Sequence, residues 1–397
     1  MKILILSQYY YPEQFQINEI APELVRRGHN VTVVCGLPNY PRGVIYEGYE
    51  NRFEEEINGV RVIRCKNVPR GNDPIKLIRN YWSFVKESKK VVRALPGDYD
   101  VVLGYQLSPI SSMVAALEYK RLYSKAVLFY TLDIWPVSAE AMLYGKINPI
   151  YWWVKRLSKR IYQGANRILV TSRPFINYIC QTSGVPMDRM AYLPQHAGSE
   201  MLYMDLYAVD NGVADFMFAG NIGKGQRVDV IIKAATILGA RNNYKIHIVG
   251  DGRMRLELEQ QVKENGLEAN VIFYGNQKRE DMPKFYKMAD ALLITLRGNN
   301  EVGETMPGKL QVYMTTGKPI LGAINGAAAE VIDESQCGIC VKAGDYEGLA
   351  KSMELFITHP EGFAAYGINA RNYFKKHFTL EHFMDGLEAE LQKLITK

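Results

Sequence analysis

The chain has 397 residues, 47% hydrophobic and 23% charged, which is ordinary for a globular protein and long enough for two separate cores. Five cysteines, an odd number spread over both halves, argue against a disulfide framework and fit a reducing compartment. Residues 1–200 hold 26 Lys+Arg against 17 Asp+Glu and residues 201–397 hold 22 against 25, so the +6 net charge belongs to the first half, which is expected to face something anionic. No nucleic-acid motif is visible, and no apolar run approaches the ~20 residues that span a bilayer. Residues 1–7 are too short an apolar stretch for a signal peptide. The expectation is a cytoplasmic protein, peripheral on the anionic inner face of a membrane, with no nucleic-acid partner.

In chain order, 2–7 is an apolar strand, followed by Gln8-Tyr9-Tyr10-Tyr11-Pro12-Glu13, a loop whose side chains can touch a polar ligand. Helical spacing over 18–27 stops at Gly28-His29, and 31–35 is a second strand, which makes a βαβ unit and a parallel sheet. Further strand cores fall at 60–63, 100–103, 127–130 and 167–170. Ligands of open α/β sheets sit beyond the carboxyl ends of the strands, so loops 7–18, 105–111 and 131–138 are expected to converge on one cleft. Asp133 follows a strand end and is the candidate base for an acceptor hydroxyl; the plainer reading is that it caps the turn at 135–139. Glu13 is a weaker candidate, because a loop Glu is commonly solvated. Segments 76–93 and 150–162 interleave aromatic and basic residues, as an interfacial helix on an anionic bilayer does. Each also reads as a surface helix that uses its aromatics as core.

After a turn-rich stretch to about residue 215 a second series begins. It comprises a strand at 215–219, a glycine loop at 220–225, a helix at 228–238, and strands at 245–249, 271–274, 291–294, 319–321 and 338–341. The tail, 380–395, is one amphipathic helix. The domain expectation is 1–198, 199–375, and 376–397 as a helix packing back on the first domain. Cys337 and Cys340 form a CxxC with no second pair, and read as small buried side chains rather than zinc ligands.

The densest signal is 304–321. Pro307-Gly308 marks a loop, 309–316 has helical spacing with Leu310, Tyr313 and Met314 as its apolar stripe, Gly317 suits a left-handed cap and Pro319 forbids continuation. A helix start after glycine offers unpaired N–H groups and the positive end of the helix dipole to an anion such as a diphosphate, and Lys309 adds a full charge there. Glu304, on the approach loop, is placed to accept from sugar hydroxyls. A capped helix with a solvated Lys explains the stretch equally well. Glu330 and His196 read as structural.

These features together resemble a GT-B glycosyltransferase of the large retaining group called family 4. The resemblance rests on Arg27-Gly28-His29-Asn30-Val31, Val249-Gly250-Asp251-Gly252, Pro307-Gly308-Lys309 with Tyr313-Met314, and Gly317-Lys318-Pro319. Asp133-Ile134-Trp135-Pro136 is similar to a subset that builds bacterial capsule, O-antigen or exopolysaccharide. It implies two Rossmann-like, doubly wound parallel-sheet α/β domains facing a cleft, with acceptor and membrane binding in the first and nucleotide-sugar binding in the second. It also implies a retaining hexosyl- or N-acetylhexosaminyl-transferase that moves a sugar from a nucleotide diphosphate, UDP-linked by expectation, to a polyprenyl-diphosphate-linked saccharide. The helix start at Gly308-Lys309, the Lys309 ammonium and the amides of 220–223 can stabilise the leaving diphosphate, so turnover without a metal or cofactor is expected. The catalytic candidates are Asp133, Glu304 and Lys309. The donor-binding candidates are Gly220, Asn221, Gly223, Gln226, Gly250, Gly275, Asn276, Thr305, Pro307, Gly308 and Lys309, with the amides of 220–223 expected to hold phosphate.

Several features depart from the wider group. Val312 stands where a second Glu is usual, Asn221 and Gln226 stand where Arg and Lys are common, and 14–18 replaces a glycine-rich loop. Two other readings remain open: a GT-B enzyme of another reaction, such as a UDP-sugar epimerase, which donor-only turnover would reveal, and a nucleotide-sugar-binding scaffold without catalysis, suggested by Val312. An oxidoreductase is disfavoured because GxGxxG is absent.

Overall fold

A computed structural model describes residues 1–71, 73–140, 148–207, 211–298 and 306–396. The chain divides into two compact units, Met1–Pro194 with Met384–Lys397, and Gln195–Phe383.

Unit 1 contains β1 (Lys2–Leu6), α1 (Ile17–Arg26), β2 (Asn30–Gly36), β3 (Glu54–Ile57), β4 (Val60–Cys65), α2 (Pro74–Ala94) and β5 (Val101–Gln106). It continues with α3 (Val114–Tyr123), β6 (Ala126–Thr131), α4 (Val137–Glu140), α5 (Pro149–Gly164), β7 (Arg167–Val170), α6 (Pro174–Ser183) and β8 (Met190–Tyr192). The sheet order is β3-β4-β2-β1-β5-β6-β7-β8, parallel throughout except for β3 against β4. β1 lies inside because Ile3, Leu4, Ile5 and Leu6 are all fully buried, as a strand covered by helices on both faces requires. Each such side chain contributes ~1.5–3 kcal/mol by leaving water. The β3–β4 hairpin turns at Asn58-Gly59, both with positive φ (51° and 77°), the pair such a turn demands.

Unit 2 contains β9 (Ala214–Ala219), α7 (Val228–Leu238), β10 (Tyr244–Val249), α8 (Arg255–Glu264), β11 (Val271–Gly275), α9 (Met282–Met288) and β12 (Ala291–Thr295). Then follow α10 (Gly308–Thr316), β13 (Ile320–Ala323), α11 (Ala327–Ser335), β14 (Gly338–Val341), α12 (Tyr346–Thr358) and α13 (Ala364–His377). Its six parallel strands are ordered β11-β10-β9-β12-β13-β14. The chain winds to one side of β9 through β10 and β11, then crosses to β12 on the other. The carboxyl ends of β9 and β12 therefore flank the point where the winding reverses, the place such sheets offer to ligands.

α14 (Leu380–Ile395) begins at the end of unit 2, and its residues from Met384 belong to unit 1. There Glu388 pairs with Arg27 and His29, each at 2.6 Å, and Glu390 pairs with Arg167 at 2.6 Å.

Candidate functional site

Three glycines end the first three strands of unit 2, and the backbone is laced across them. The N–H of Gly220 donates to the Val249 carbonyl (2.9 Å), that of Gly250 to Gly275 (2.9 Å), and that of Ile222 to Asp251 (2.8 Å). Gly250 has a φ of +140°, and a Cβ built there would lie 1.9 Å from the Gly220 oxygen, so only glycine permits this approach. The β12 end braces the same loop: Thr295 Oγ1 donates to the Gln226 carbonyl (2.6 Å) and the Arg297 N–H to that of Gly225 (2.9 Å).

α10 is fixed onto this floor by Tyr313, whose hydroxyl accepts from the Ala219 N–H (2.8 Å) and donates to the Ala219 carbonyl (3.3 Å). Leu310, Tyr313 and Met314 are fully buried. Gly317 takes the left-handed cap (φ +75°), and Arg371 donates to the Thr315 and Thr316 carbonyls, satisfying the helix's last acceptors. At the opposite end Pro307 is the N-cap, and among the described residues no side chain caps the first turn.

Lys309 reaches from that turn to the glycine floor. Its Nζ donates to Gln226 Oε1, lies 4.1 Å from the Phe218 ring centroid, and is 3.1 Å from where a Gly220 Cβ would be. Although the residue as a whole is half-buried, burial of its ammonium lowers the pKa from 10.5 to about 7. No carboxylate partners it among the described residues.

Gly220, Gln226, Gly250, Gly275, Pro307, Gly308 and Lys309 thus occupy the carboxyl edge of one sheet. The Asn221 amide lies across Gly223 and Gly252 (Oδ1 2.6 Å from a Cβ built at Gly252) and is exposed, as is Asn276. Glu304 and Thr305 lie outside the described residues. Val312 packs, partly buried, against the apolar cluster under α10. Arg227 is held by Asp229 (2.8 Å), and Lys224 is exposed. Among the described residues no three His, Cys, Asp or Glu side chains gather where a metal would sit.

In unit 1, Asp133 follows β6 and both its carboxylate oxygens accept hydroxyls, Oδ2 from Ser108 and Oδ1 from Ser138. Gln106 Nε2 donates to its carbonyl (2.8 Å) and Trp135 Nε1 to Ser108 Oγ (2.9 Å), so the loops after β5 and β6 are tied together. Glu13, beyond β1, is 1% exposed. Its Oε1 accepts the N–H groups of Asn39 and Tyr40, each at 2.7 Å, while Oε2 has no hydrogen-bond partner among the described residues. Burial raises its pKa to about 7, against the lowering effect of those backbone donors.

Residues 14–196 match the family described as "Glycosyl transferase 4-like domain", and residues 207–373 match "Glycosyl transferases group 1". The chain belongs to the GT-B glycosyltransferases. It is 24% identical, over 97% of its length and 98% of the relative's, to the "Putative colanic acid biosynthesis glycosyl transferase WcaI" of Escherichia coli K12. It is 27% identical, over 51% of its length and 53% of the relative's, to the "GalNAc-alpha-(1->4)-GalNAc-alpha-(1->3)-diNAcBac-PP-undecaprenol alpha-1,4-N-acetyl-D-galactosaminyltransferase" of Campylobacter jejuni. Its fold matches Anabaena HepE, crystallised with UDP, at a TM-score of 0.70 and 15% identity, over 99% of this chain and all of that one.

Two expectations about this glycosyltransferase need correction. The amides of 220–223 do not all face a ligand, because those of Gly220 and Ile222 are spent on the neighbouring strand-end loops; those of Asn221 and Gly223 have no partner among the described residues. Glu13 is not solvated, because the loop after β2 folds over it. Reading the sequence also missed Tyr313 as the strut between helix and strand: its spacing announced a core ring, and nothing local told where the hydroxyl would go. Ser108 and Ser138, the partners of Asp133, were missed as well.

Proposed function

We propose that this glycosyltransferase moves a hexosyl or N-acetylhexosaminyl group from a UDP-linked donor to a saccharide carried on a polyprenyl diphosphate, in bacterial surface polysaccharide synthesis. The observation that carries the reading is Lys309, a buried ammonium with no carboxylate partner among the described residues, in the first turn of α10 and over the glycine floor where the sheet winding reverses. A diphosphate placed there would meet the helix dipole, the Lys309 charge and the amides of Asn221 and Gly223. These groups answer the negative charge that develops as the bond from the anomeric carbon to the leaving phosphate breaks, without calling on a metal. The acceptor oxygen bonds to that carbon on the face the diphosphate leaves, so configuration is retained, and its proton passes to a base, for which Asp133 is the proposed group. The names of the Escherichia coli and Campylobacter relatives support a polysaccharide product and a diphosphate-polyprenol acceptor, and the UDP bound to HepE supports the nucleotide. The cationic excess of the first half supports work at the anionic inner face of the cytoplasmic membrane.

The test is a thermal-shift panel of UDP-, GDP- and TDP-sugars. A UDP-sugar is expected to raise the melting temperature, because it binds only the folded state, and Lys309→Ala to abolish the rise. An unchanged rise in Lys309→Ala would remove that residue from the site.

A further inference from the structure

α2 and α5 both turn large apolar side chains outward. On α2, Ile75 (71% exposed), Ile78 and Trp82 recur at three- and four-residue spacing and so share a face. On α5, Ile150, Trp152 and Trp153 are each half exposed or more. The two faces are one surface, because the Trp82 and Trp153 rings touch, with centroids 5.6 Å apart.

The cations interleaved with these residues are unspent. α5 contains Lys155, Arg156, Lys159 and Arg160 and no acidic residue, and none of the four meets a carboxylate among the described residues. Lys155 lies over the Trp152 ring (5.0 Å), and a cavity of about 600 Å³ is lined by Trp152, Trp153, Arg156 and Lys159. On α2, Arg79 and Lys86 fall on the Trp82 face, likewise without a carboxylate among the described residues. The helix bodies beneath are ordinary core: Phe84 and Val92 of α2, with Tyr151, Ile161 and Tyr162 of α5, are buried. Among the described residues nothing covers their outer halves.

We propose that the α2–α5 face, with Trp82 and Trp153 at its centre, is the surface by which this glycosyltransferase docks on an anionic phospholipid bilayer. The proposal rests on the reading that the acceptor is lipid-linked, and it assigns the residues that bring the chain to it. Tryptophan and isoleucine enter the headgroup–acyl boundary while Lys and Arg stay among the phosphates, a division this face already makes. A second copy of the chain is a poor occupant, because two faces of the same positive sign would meet. Nucleic acid offers nothing to Ile75, Ile78 and Ile150.

The experiment is co-sedimentation of the full chain with vesicles of phosphatidylglycerol and phosphatidylcholine, against vesicles of phosphatidylcholine alone, at low and high salt. Trp82→Ser/Trp153→Ser and Arg156→Glu/Lys159→Glu are run in parallel, with the UDP thermal shift measured on each. Pelleting with the anionic vesicles, reduced by salt, is expected, with partition about tenfold weaker in either double variant and the UDP shift unchanged. The proposal is overturned if the wild type stays in solution, if it pellets equally with neutral vesicles, or if correctly folded variants pellet like the wild type. A self-association that Trp82→Ser/Trp153→Ser abolishes, without vesicle binding, would also overturn it. Because vesicle and UDP binding are read separately, loss of one leaves the other standing.

Discussion

Lys309 carries two opposing demands. Its ammonium costs stability in the unliganded protein, since burial lowers its pKa from 10.5 to about 7. The penalty is fully present below about pH 7, where the folded state must hold the buried charge, and is relieved as pH rises towards 10.5, because the unfolded chain then binds the extra proton. Lys309→Met is therefore expected to be more stable than the wild type near pH 6, by about 1–3 kcal/mol, with the advantage shrinking towards pH 10 in chemical denaturation. Donor affinity runs the other way. A nucleotide sugar's diphosphate diester does not titrate near neutrality, so its affinity should hold below about pH 7 and fall above it, and calorimetry of Lys309→Ala should show weak binding without that slope. Glu13 has the opposite sign. With its folded pKa raised to about 7, the burial penalty is absent below the ordinary carboxylate range, grows as pH rises from 4.5 to about 7 and is complete above. Glu13→Gln should gain about 2–3 kcal/mol on the wild type between about pH 5 and pH 8, read from denaturation midpoints at the two values. A flat difference would show that the carboxyl is ionised throughout.

The strand-end loops and α10 form one assembly, so under the proposed function damage to either should reach a bound donor. Gly250→Ala places a methyl against the Gly220 carbonyl, and must displace one of the two loops. It is expected to cost more than about 2 kcal/mol and to abolish the UDP-sugar shift. Tyr313→Phe strands the buried Ala219 N–H, with a cost of about 1–3 kcal/mol and weaker UDP-sugar binding; an unchanged affinity would show that α10 keeps its place without the strut. The elements themselves were legible in the sequence. Apolar runs of five or six residues alternating with helical spacing give parallel strands, and Gly317 and Pro319 end α10 where their backbone chemistry says they must. The short β3 was missed, because Glu54-Glu55-Glu56 reads as solvated, although Asn58-Gly59 carried the hairpin signal. The occupied amides of Gly220 and Ile222 were not legible, because their acceptors lie about thirty residues away on other strand ends. Burial of Glu13 escaped for the same reason: its donors belong to the loop after β2.

At the scale of the molecule, two parallel sheets each place their polar loops at the carboxyl edge. Unit 2 gathers Lys309, Gln226 and the three strand-end glycines there, and unit 1 gathers Asp133, Ser108 and Ser138. The two successive series of strands were legible in the sequence; the positive excess and the aromatic-basic segments fall in the first series and the glycine loop with its helix start in the second. The most direct measurement is the titration of the Lys309 ammonium by ¹⁵N NMR, with and without saturating UDP-sugar. The expected result is a pKa near 7 in the free protein that rises by a unit or more when the diphosphate is bound. The same titration curve in both samples, with the nucleotide sugar demonstrably bound, would contradict it.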